Sequence, residues 1–550
     1  MMMALRCRHL LFCSLNRPTL VQCGQSGQTS AQQLNISQVP AAGHPFMESL
    51  FAYTAGRWLH LDRQQREARY LQFNFQRLCE KVLSLCPSAT SIESCQKLEG
   101  GFSRAFVITA NDGRRVVAKF PTSVAGPATH VTNSEVATIS YLQQKTKIPI
   151  PAILDWSDDP TNPIGSAYII MEHAGGISLQ HMWPNMSFSQ KMNCIRSIST
   201  SIMEMSGLDF PAYGSLYFAD AALLDSDSKQ ELSDPKYCIG PLCRPTYWDC
   251  NVGEPRYFAF KGPNRGPWRD LSSYSSALID AGLARLPLAD NPITRPRPSY
   301  QGSVDKHLEL LNLGRSVFLK LIQHPQIQSN AAPTIFHPDL HRRNIFVSEN
   351  DPTVVTAIID WQSTCVEPAF YYADDVPDFA KPFLEKTSES EAATEDNLCA
   401  QAFEAGLGLL APRLAATRKI DETLLRPFRY CHRTWKDGFV PFTHELIQLR
   451  DRWQVLGFKD DCPIPALGPD ELRVYQEQLE IYDKMLSLRQ DIVEILGVEQ
   501  DGWVPADRWQ DVRAAHQQVY ASVMGAMESE KDYEDMKMMW PFDGVQQSAT

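Results

Sequence analysis

The sequence predicts an α+β protein of two lobes, a small antiparallel β-sheet followed by a mainly helical body. Three observations carry this. Residues 91–120 read as three short strands joined by turns, and residues 391–500 read as amphipathic helix almost throughout. Between them lies Phe336-His337-Pro338-Asp339-Leu340-His341-Arg342-Arg343-Asn344-Ile345-Phe346, followed by the apolar run Val354-Val355-Thr356-Ala357-Ile358-Ile359, which ends in Asp360-Trp361. Such a run reads as a buried strand that delivers a carboxylate at its end.

Taken in order, residues 1–44 are expected to be a mitochondrial transit peptide or a disordered stretch. The first 47 residues hold no Asp or Glu, but hold Arg6, Arg8 and Arg17 among Ser, Gln and Thr, the composition of a mitochondrial leader. The expected location is mitochondrial, otherwise cytoplasmic. Residues 45–90 should form a helical extension. Asn74 is placed to cap a helix whose Phe75, Leu78, Cys79, Val82 and Leu83 share one face, with Pro87 ending it.

Residues 91–174 should form the sheet lobe. Residues 91–98 and 105–109 read as strands around the turn Glu99-Gly100-Gly101-Phe102-Ser103, Asn111-Asp112-Gly113 as a hairpin turn, and residues 115–120 as a third strand. Adjacent Gly100 and Gly101 would let backbone amides approach a phosphate, although a plain hairpin reads the same. Lys119 closes the third strand. Thr132 or Asn133 can cap a following helix that holds Glu135, Val136, Ile139 and Leu142. Residues 167–171 read as a central strand entering Met171-Glu172-His173, where Gly175 and Gly176 let the chain turn into the next lobe.

Residues 175–500 should be that helical lobe, with helices near 187–205, 307–322, 399–410, 425–435, 443–456 and 471–496. An insertion at about 219–300, rich in Pro, Gly, aromatics and Cys, either covers a site or packs on the lobe. Residues 501–550 read as a C-terminal tail without a site signal.

Composition bounds the function. The 550-residue chain is 43% hydrophobic and carries a formal net charge of -12, which argues against a broad nucleic-acid surface. No apolar run is long enough to cross a membrane as a helix. The fourteen cysteines include no CxxC pair, which argues against a zinc ribbon and for reduced thiols.

The chemistry lies in Asp339, Asn344 and Asp360. Phosphoryl transfer needs one carboxylate to accept the proton of an attacking hydroxyl, and hard oxygen ligands to hold magnesium against phosphates. Each residue alone is as readily a turn or cap residue. Their order, behind Lys119 and Glu135, favours the catalytic reading.

The pattern His337-x-Asp339-x-x-x-x-Asn344 followed by Ile359-Asp360-Trp361 resembles the catalytic and metal loops of the aminoglycoside phosphotransferase (choline kinase-like) superfamily. The resemblance implies a protein-kinase-like fold, ATP and Mg2+ as cofactors, and a small-molecule hydroxyl as acceptor. It implies Asp339 as catalytic base, His337 as brace of its loop, and Asn344 and Asp360 as metal ligands. It further implies Lys119 at the ATP phosphates with Glu135 as partner, Gly100 and Gly101 beside them, and the backbone of Met171, Glu172 and His173 at the adenine edge. The chain departs from protein kinases: no Arg precedes Asp339, the metal Asp lies in Ile-Asp-Trp, and no Ala-Pro-Glu is found. Pro338 stands where the family commonly has glycine.

Glu99-Gly-Gly-Phe102, Val117-Ala-Lys119, Asn133-Ser-Glu135-Val-Ala-Thr, Tyr168-Ile-Ile-Met-Glu-His173 and Phe210-Pro-Ala-Tyr-Gly-Ser215 are similar to a fungal branch of that superfamily, the altered inheritance of mitochondria protein 9 group, across roughly residues 45–500. This implies mitochondrial association and supplies no acceptor. The rival reading is a kinase-like binding or scaffold protein without turnover, since a fold does not guarantee its function.

Overall fold

The computed structural model describes residues 32–35, 45–253, 262–287, 297–382 and 391–543. The first part of the chain runs β1 (Gln32–Asn35), β2 (Gly56–Trp58), α1 (Phe75–Leu85), β3 (Ile92–Glu99), β4 (Ser103–Ala110), β5 (Arg115–Pro121), α2 (Ala128–Lys145), β6 (Ile153–Ser157) and β7 (Tyr168–Glu172). All of these strands except β2 join one antiparallel sheet in the order β1-β3-β4-β5-β7-β6. Helix α1 is capped by the Asn74 side chain, which accepts from Arg77 N. Its Phe75, Leu78 and Val82 bury against Phe106, Phe120 and Tyr168 of the sheet. Burial of side chains this size contributes about 1.5–3 kcal/mol each. Helix α2 meets the sheet through Val136, which packs with Ile169 and Met171.

Two expectations are corrected here. Part of the stretch read as leader or disorder, Gln32–Asn35, is an edge strand pairing with β3, which satisfies backbone groups that β3 would otherwise leave open. The remainder of that stretch lies outside the described residues. Helix α2 begins at Ala128, behind Gly126 and Pro127, and not at Thr132 or Asn133. Gly126 takes φ +112° and Pro127 sets the entry to the helix. Asn133 is held elsewhere: its Nδ2 donates to Asp158 Oδ2 at 2.8 Å and its Oδ1 accepts from Phe218 N at 3.2 Å. Glu135 therefore sits two turns into the helix, beyond the reach of the N-terminal dipole.

The chain crosses to the second lobe at Gly176, where φ is +87° and a Cβ would stand 2.1 Å from the Val347 carbonyl. There follow β8 (Ile177–Ser178), α3 (Phe188–Ser206), β9 (Ser215–Phe218), β10 (Gln230–Glu231), β11 (Tyr237–Gly240), α4 (Leu271–Leu283), α5 (Val304–Leu321), β12 (Pro333–Ile335), β13 (Ile345–Val347), β14 (Val355–Ile358), β15 (Val366–Pro368), α6 (Glu391–Leu410), α7 (Phe439–Asp451) and α8 (Pro469–Leu496). The insertion packs on this lobe. Trp268, Tyr247, Tyr274 and Leu278 enter one core with Leu311, Phe318, Phe428 and Phe442. Helix α4 went unread because serines fill its exposed face, yet Leu271, Tyr274 and Leu278 keep helical spacing behind the Asp270 cap.

The stretch expected to be a tail is folded through Asp543. β16 (Trp503–Pro505) pairs with β2, and α9 (Trp509–Gly525) follows. Val504, Trp509, Val519 and Trp540 share a core with Leu59 and with Leu488, Ile492 and Leu496 of α8. Asp543 Oδ2 accepts from Leu61 N at 2.8 Å. The other half of α8 packs on the helical lobe, Tyr475 joining Tyr300 and Val440. The N-terminal extension in turn grips the sheet. Lys97 Nζ donates to the Ser49 carbonyl at 2.6 Å, and Arg104 Nη1 to the Leu50 carbonyl at 2.8 Å. Among the described residues no helix is long and apolar enough to cross a membrane, and the buried cysteines are free thiols.

Candidate active site

Strand β5 delivers Lys119 beneath α2, and β14 delivers Asp360 against it. Lys119 Nζ donates to Glu135 Oε1 at 2.6 Å and to Asp360 Oδ1 at 2.7 Å. Burial opposes the charge on Lys119, but Asp360 and then Glu135 more than offset it and hold the ammonium above the usual lysine range. The Asp360 carboxyl is likewise opposed by burial and nevertheless held low by Lys119. Glu135 is 3% exposed and Asp360 42%, so the pair runs from the interior to an exposed carboxylate. Asp360 takes φ +67°, uncommon for a residue other than glycine and a mark of a locally constrained turn.

The loop between β12 and β13 carries the second group. His337 is 1% exposed, and burial pulls its pKa down to about 4 against the bond to Ile359. Its Nε2 lies 3.0 Å from the Ile359 carbonyl and its Nδ1 accepts from Asp339 N at 3.1 Å. The ring is thus neutral, with the proton on Nε2, and it ties the Asp339 backbone to the residue preceding Asp360. Trp361 packs edge-on to it at 4.5 Å. Asn344 Nδ2 donates to Asp339 O and to Asp339 Oδ2, both at 2.9 Å. Its amide hydrogens being spent there, its Oδ1 remains an acceptor. Arg343 Nη2 donates to Asp339 Oδ2 at 2.6 Å, and His341 Nδ1 lies 2.9 Å from Oδ1. Burial would raise the Asp339 carboxyl, but His341 and Arg343 outweigh it and hold it well below the usual carboxylate range. Ile359 N donates to Asn344 O at 2.9 Å, which brings Asn344 beside Asp360.

The donor set suits magnesium. Asp360 and Asn344 offer two hard oxygens, and Mg2+ keeps waters and phosphate oxygens as its remaining ligands. Among the described residues no group of three or more His, Cys, Asp or Glu gathers as a metal cage.

The glycine turn closes on itself through Gly100 N, which donates to Ser103 O at 2.9 Å. It reaches the loop after Asp360 where Gln362 Nε2 donates to Phe102 O at 3.4 Å. At the hinge, Glu172 N donates to Ala152 O and His173 N to Arg115 O, so of their backbone groups the carbonyls rather than the N–H groups are left for a base edge. The Met171 side chain packs into the sheet and Glu172 is exposed.

Beyond Asp360, Glu367 is buried. Its Oε1 lies 3.0 Å from Arg244 Nη2. Arg244 also donates to the Tyr371 hydroxyl at 2.7 Å and lies 4.4 Å over that ring. Asp374 pairs with Arg429. The acidic residues of this region are therefore largely spent on arginines. Sequence reasoning had no means of finding Arg244, since only the fold puts it against Glu367.

Residues 271–371 match the model of the phosphotransferase enzyme family, a span that takes in Asp339, Asn344 and Asp360. A subtelomeric hrmA-associated cluster protein of Aspergillus fumigatus is 30% identical over 310 residues, 50% of this chain and 58% of that protein. The chain thus aligns with under two thirds of that relative's length. The altered inheritance of mitochondria protein 9, mitochondrial, of Yarrowia lipolytica is 23% identical over 523 residues, 85% of this chain and 86% of its own. Among solved structures, the GDP complex of wild-type aminoglycoside 2'-phosphotransferase-IIIa is 16% identical with a TM-score of 0.34, covering 74% of this chain and 98% of that one. Both resemblances expected from the motifs are found.

Proposed function

We propose that this protein is an ATP- and magnesium-dependent phosphotransferase acting on the hydroxyl of a small molecule. The observation that carries the reading is the junction of Lys119, Glu135 and Asp360 at 2.6 and 2.7 Å, from segments as much as 241 residues apart. A buried lysine held between two carboxylates, one of them exposed, is arranged to receive phosphate oxygens. Lys119 would hold those oxygens, and Asn344 and Asp360 would hold the metal. Bound magnesium supplies neutralisation of charge on the transferring phosphoryl group. Asp339, kept ionised and aimed by Asn344 and Arg343, would take the acceptor's proton as the new oxygen–phosphorus bond forms and the bond from the γ-phosphorus to the bridging oxygen of ADP, the leaving group, breaks. Such a site works by position and charge rather than by covalent chemistry. The named mitochondrial relatives support a mitochondrial location.

A second reading, nucleotide binding without turnover, is favoured by one observation, the occupation of Asp339 by Arg343 and His341. Thermal unfolding of the full chain, combined with an ADP-release assay across candidate acceptors, separates the two. Mg-ATP at 100 times Kd should stabilise the fold by about 2.7 kcal/mol, an effect lost in Asp360→Ala and retained in Asp339→Asn. Release of ADP should require Asp339. No stabilisation at millimolar Mg-ATP would overturn the nucleotide reading. Stabilisation with release unaltered by Asp339→Asn would overturn its catalytic role.

A further inference from the structure

The turn Glu99-Gly100-Gly101-Phe102-Ser103 is held from behind by a residue outside the motifs. Arg69 is 8% exposed. Its Nε donates to the Gly101 carbonyl at 3.0 Å, and its Nη1 donates to the Gln65 carbonyl at 2.9 Å and to Gln65 Oε1 at 2.7 Å. The guanidinium lies 4.5 Å over the Trp58 ring and 5.8 Å from the Tyr53 ring. That aromatic shelf is fastened by the far end of the chain. Trp58 Nε1 donates to Asp501 Oδ2 at 2.9 Å, and Trp503 Nε1 to the Tyr53 hydroxyl at 3.1 Å. The start of the turn is pinned as well, since Glu99 Oε2 accepts from Thr54 N and Thr54 Oγ1, both at 2.9 Å.

The carbonyls of Gly101 and Phe102 are both engaged. Phe102 O accepts from Thr122 N and Thr122 Oγ1, both at 2.9 Å, as well as from Gln362. The N–H groups of Gly101 and Phe102, in contrast, have no acceptor among the described residues. A trans peptide is planar, with its C=O and N–H pointing in opposite directions. The bond that turns the Gly101 carbonyl toward Arg69 therefore turns the Phe102 N–H away from it. The space over the tip is open, since a Cβ on Gly101 would meet no atom within 4 Å. A loop amide left without an acceptor in this way is a donor available to an anion.

We propose that Arg69 is a positioning residue for the nucleotide phosphates: it sets the peptide between Gly101 and Phe102 so that the Phe102 N–H is offered to a phosphate oxygen. The assignment rests on the phosphotransferase reading above. Arg69 acts through the peptide plane and touches no ligand itself.

The test is calorimetric titration of the full chain with adenosine, ADP and Mg-ATP. Arg69→Lys keeps the charge on the aromatic shelf and loses the fixed Nε donor. Phe102→Pro deletes the N–H at a residue whose side chain is 52% exposed. Arg69→Lys and Phe102→Pro should each bind ADP and Mg-ATP about tenfold more weakly, the equivalent of one hydrogen bond to a charged group. Adenosine affinity should be unchanged in both. The double variant Arg69→Lys with Phe102→Pro should be no weaker than Phe102→Pro alone, because both remove one interaction. Should Arg69→Lys not fold, Arg69→Gln, which likewise lacks the fixed Nε donor, takes its place with the same outcomes. Wild-type ADP affinity in Arg69→Lys, or an equal loss for adenosine, would overturn the assignment alone. Wild type binding none of the three ligands would overturn the phosphotransferase reading and this assignment with it.

Discussion

Replacing Glu135 by glutamine probes the pair at the centre of the site. Lys119 Nζ stands 2.6 Å from Glu135 Oε1 and 2.7 Å from Asp360 Oδ1, with the Glu135 side chain only 3% exposed. Glutamine keeps the volume and one carbonyl oxygen, so the charge is lost and the packing is kept. A hydrogen bond to a charged group contributes about 1.5–3 kcal/mol, and relief of the burial cost of the carboxylate offsets part of it. The net loss should be about 1–2 kcal/mol, a fall in Tm of a few degrees. The larger effect falls on the metal. With Glu135 neutral, the ammonium is held by Asp360 alone, and magnesium must displace it from a tighter pair. We expect Mg-ATP affinity to fall about 10- to 100-fold, which removes roughly 1.4–2.7 kcal/mol of ligand-induced stabilisation. Thermal unfolding over a magnesium series at fixed ATP measures both effects. A variant with the wild-type Tm and the wild-type magnesium midpoint would refute the competition argument.

Three further outcomes follow from the geometry. His337 is neutral in the fold with a pKa of about 4, whereas an unfolded histidine titrates near 6.5. The unfolded chain binds the extra proton between those values, so this residue removes about 3 kcal/mol of stability as pH falls from 6.5 to 4. Urea melts across that window should show a flatter slope for His337→Gln, and parallel slopes would refute the assignment of a buried neutral ring. Gly176→Ala places a Cβ 2.1 Å from the Val347 carbonyl at a φ of +87°. It should cost more than about 2 kcal/mol, and a soluble variant melting with wild type would contradict the lobe crossing described. Asn133→Leu removes the bonds to Asp158 and from Phe218 N and should cost about 1–3 kcal/mol. An unchanged urea midpoint would return Asn133 to the role of a surface cap.

The polar residues of the site were legible because each sits in a local pattern. Lys119 and Asp360 close apolar strands, and Asp339 and Asn344 lie five positions apart between short apolar runs. What escaped notice depends on distance along the chain. Arg69 meets Gly101 across 32 residues, and Trp58 meets Asp501 across 443; no periodicity reports such pairs. β2 and β16 have three residues each, too few to alternate convincingly. Asn133 misled because its side chain suits a cap equally well in isolation, and only tertiary partners decide its use. The hinge residues were assigned by position in the sequence, which does not report that the N–H groups of Glu172 and His173 are engaged and their carbonyls left.

Helix α8 has 28 residues and so spans about 42 Å. One half rests on the helical lobe beside Tyr300 and Val440, and the other lies in the core with Leu59 and Trp509. The sheet lobe is thus moored twice, once through the backbone at Gly175 and Gly176 and once through this rod and the β2–β16 pair. A body fixed along one edge can swing like a door, whereas one fixed along two must slide or flex. Relative motion of the two lobes is thereby biased toward shear.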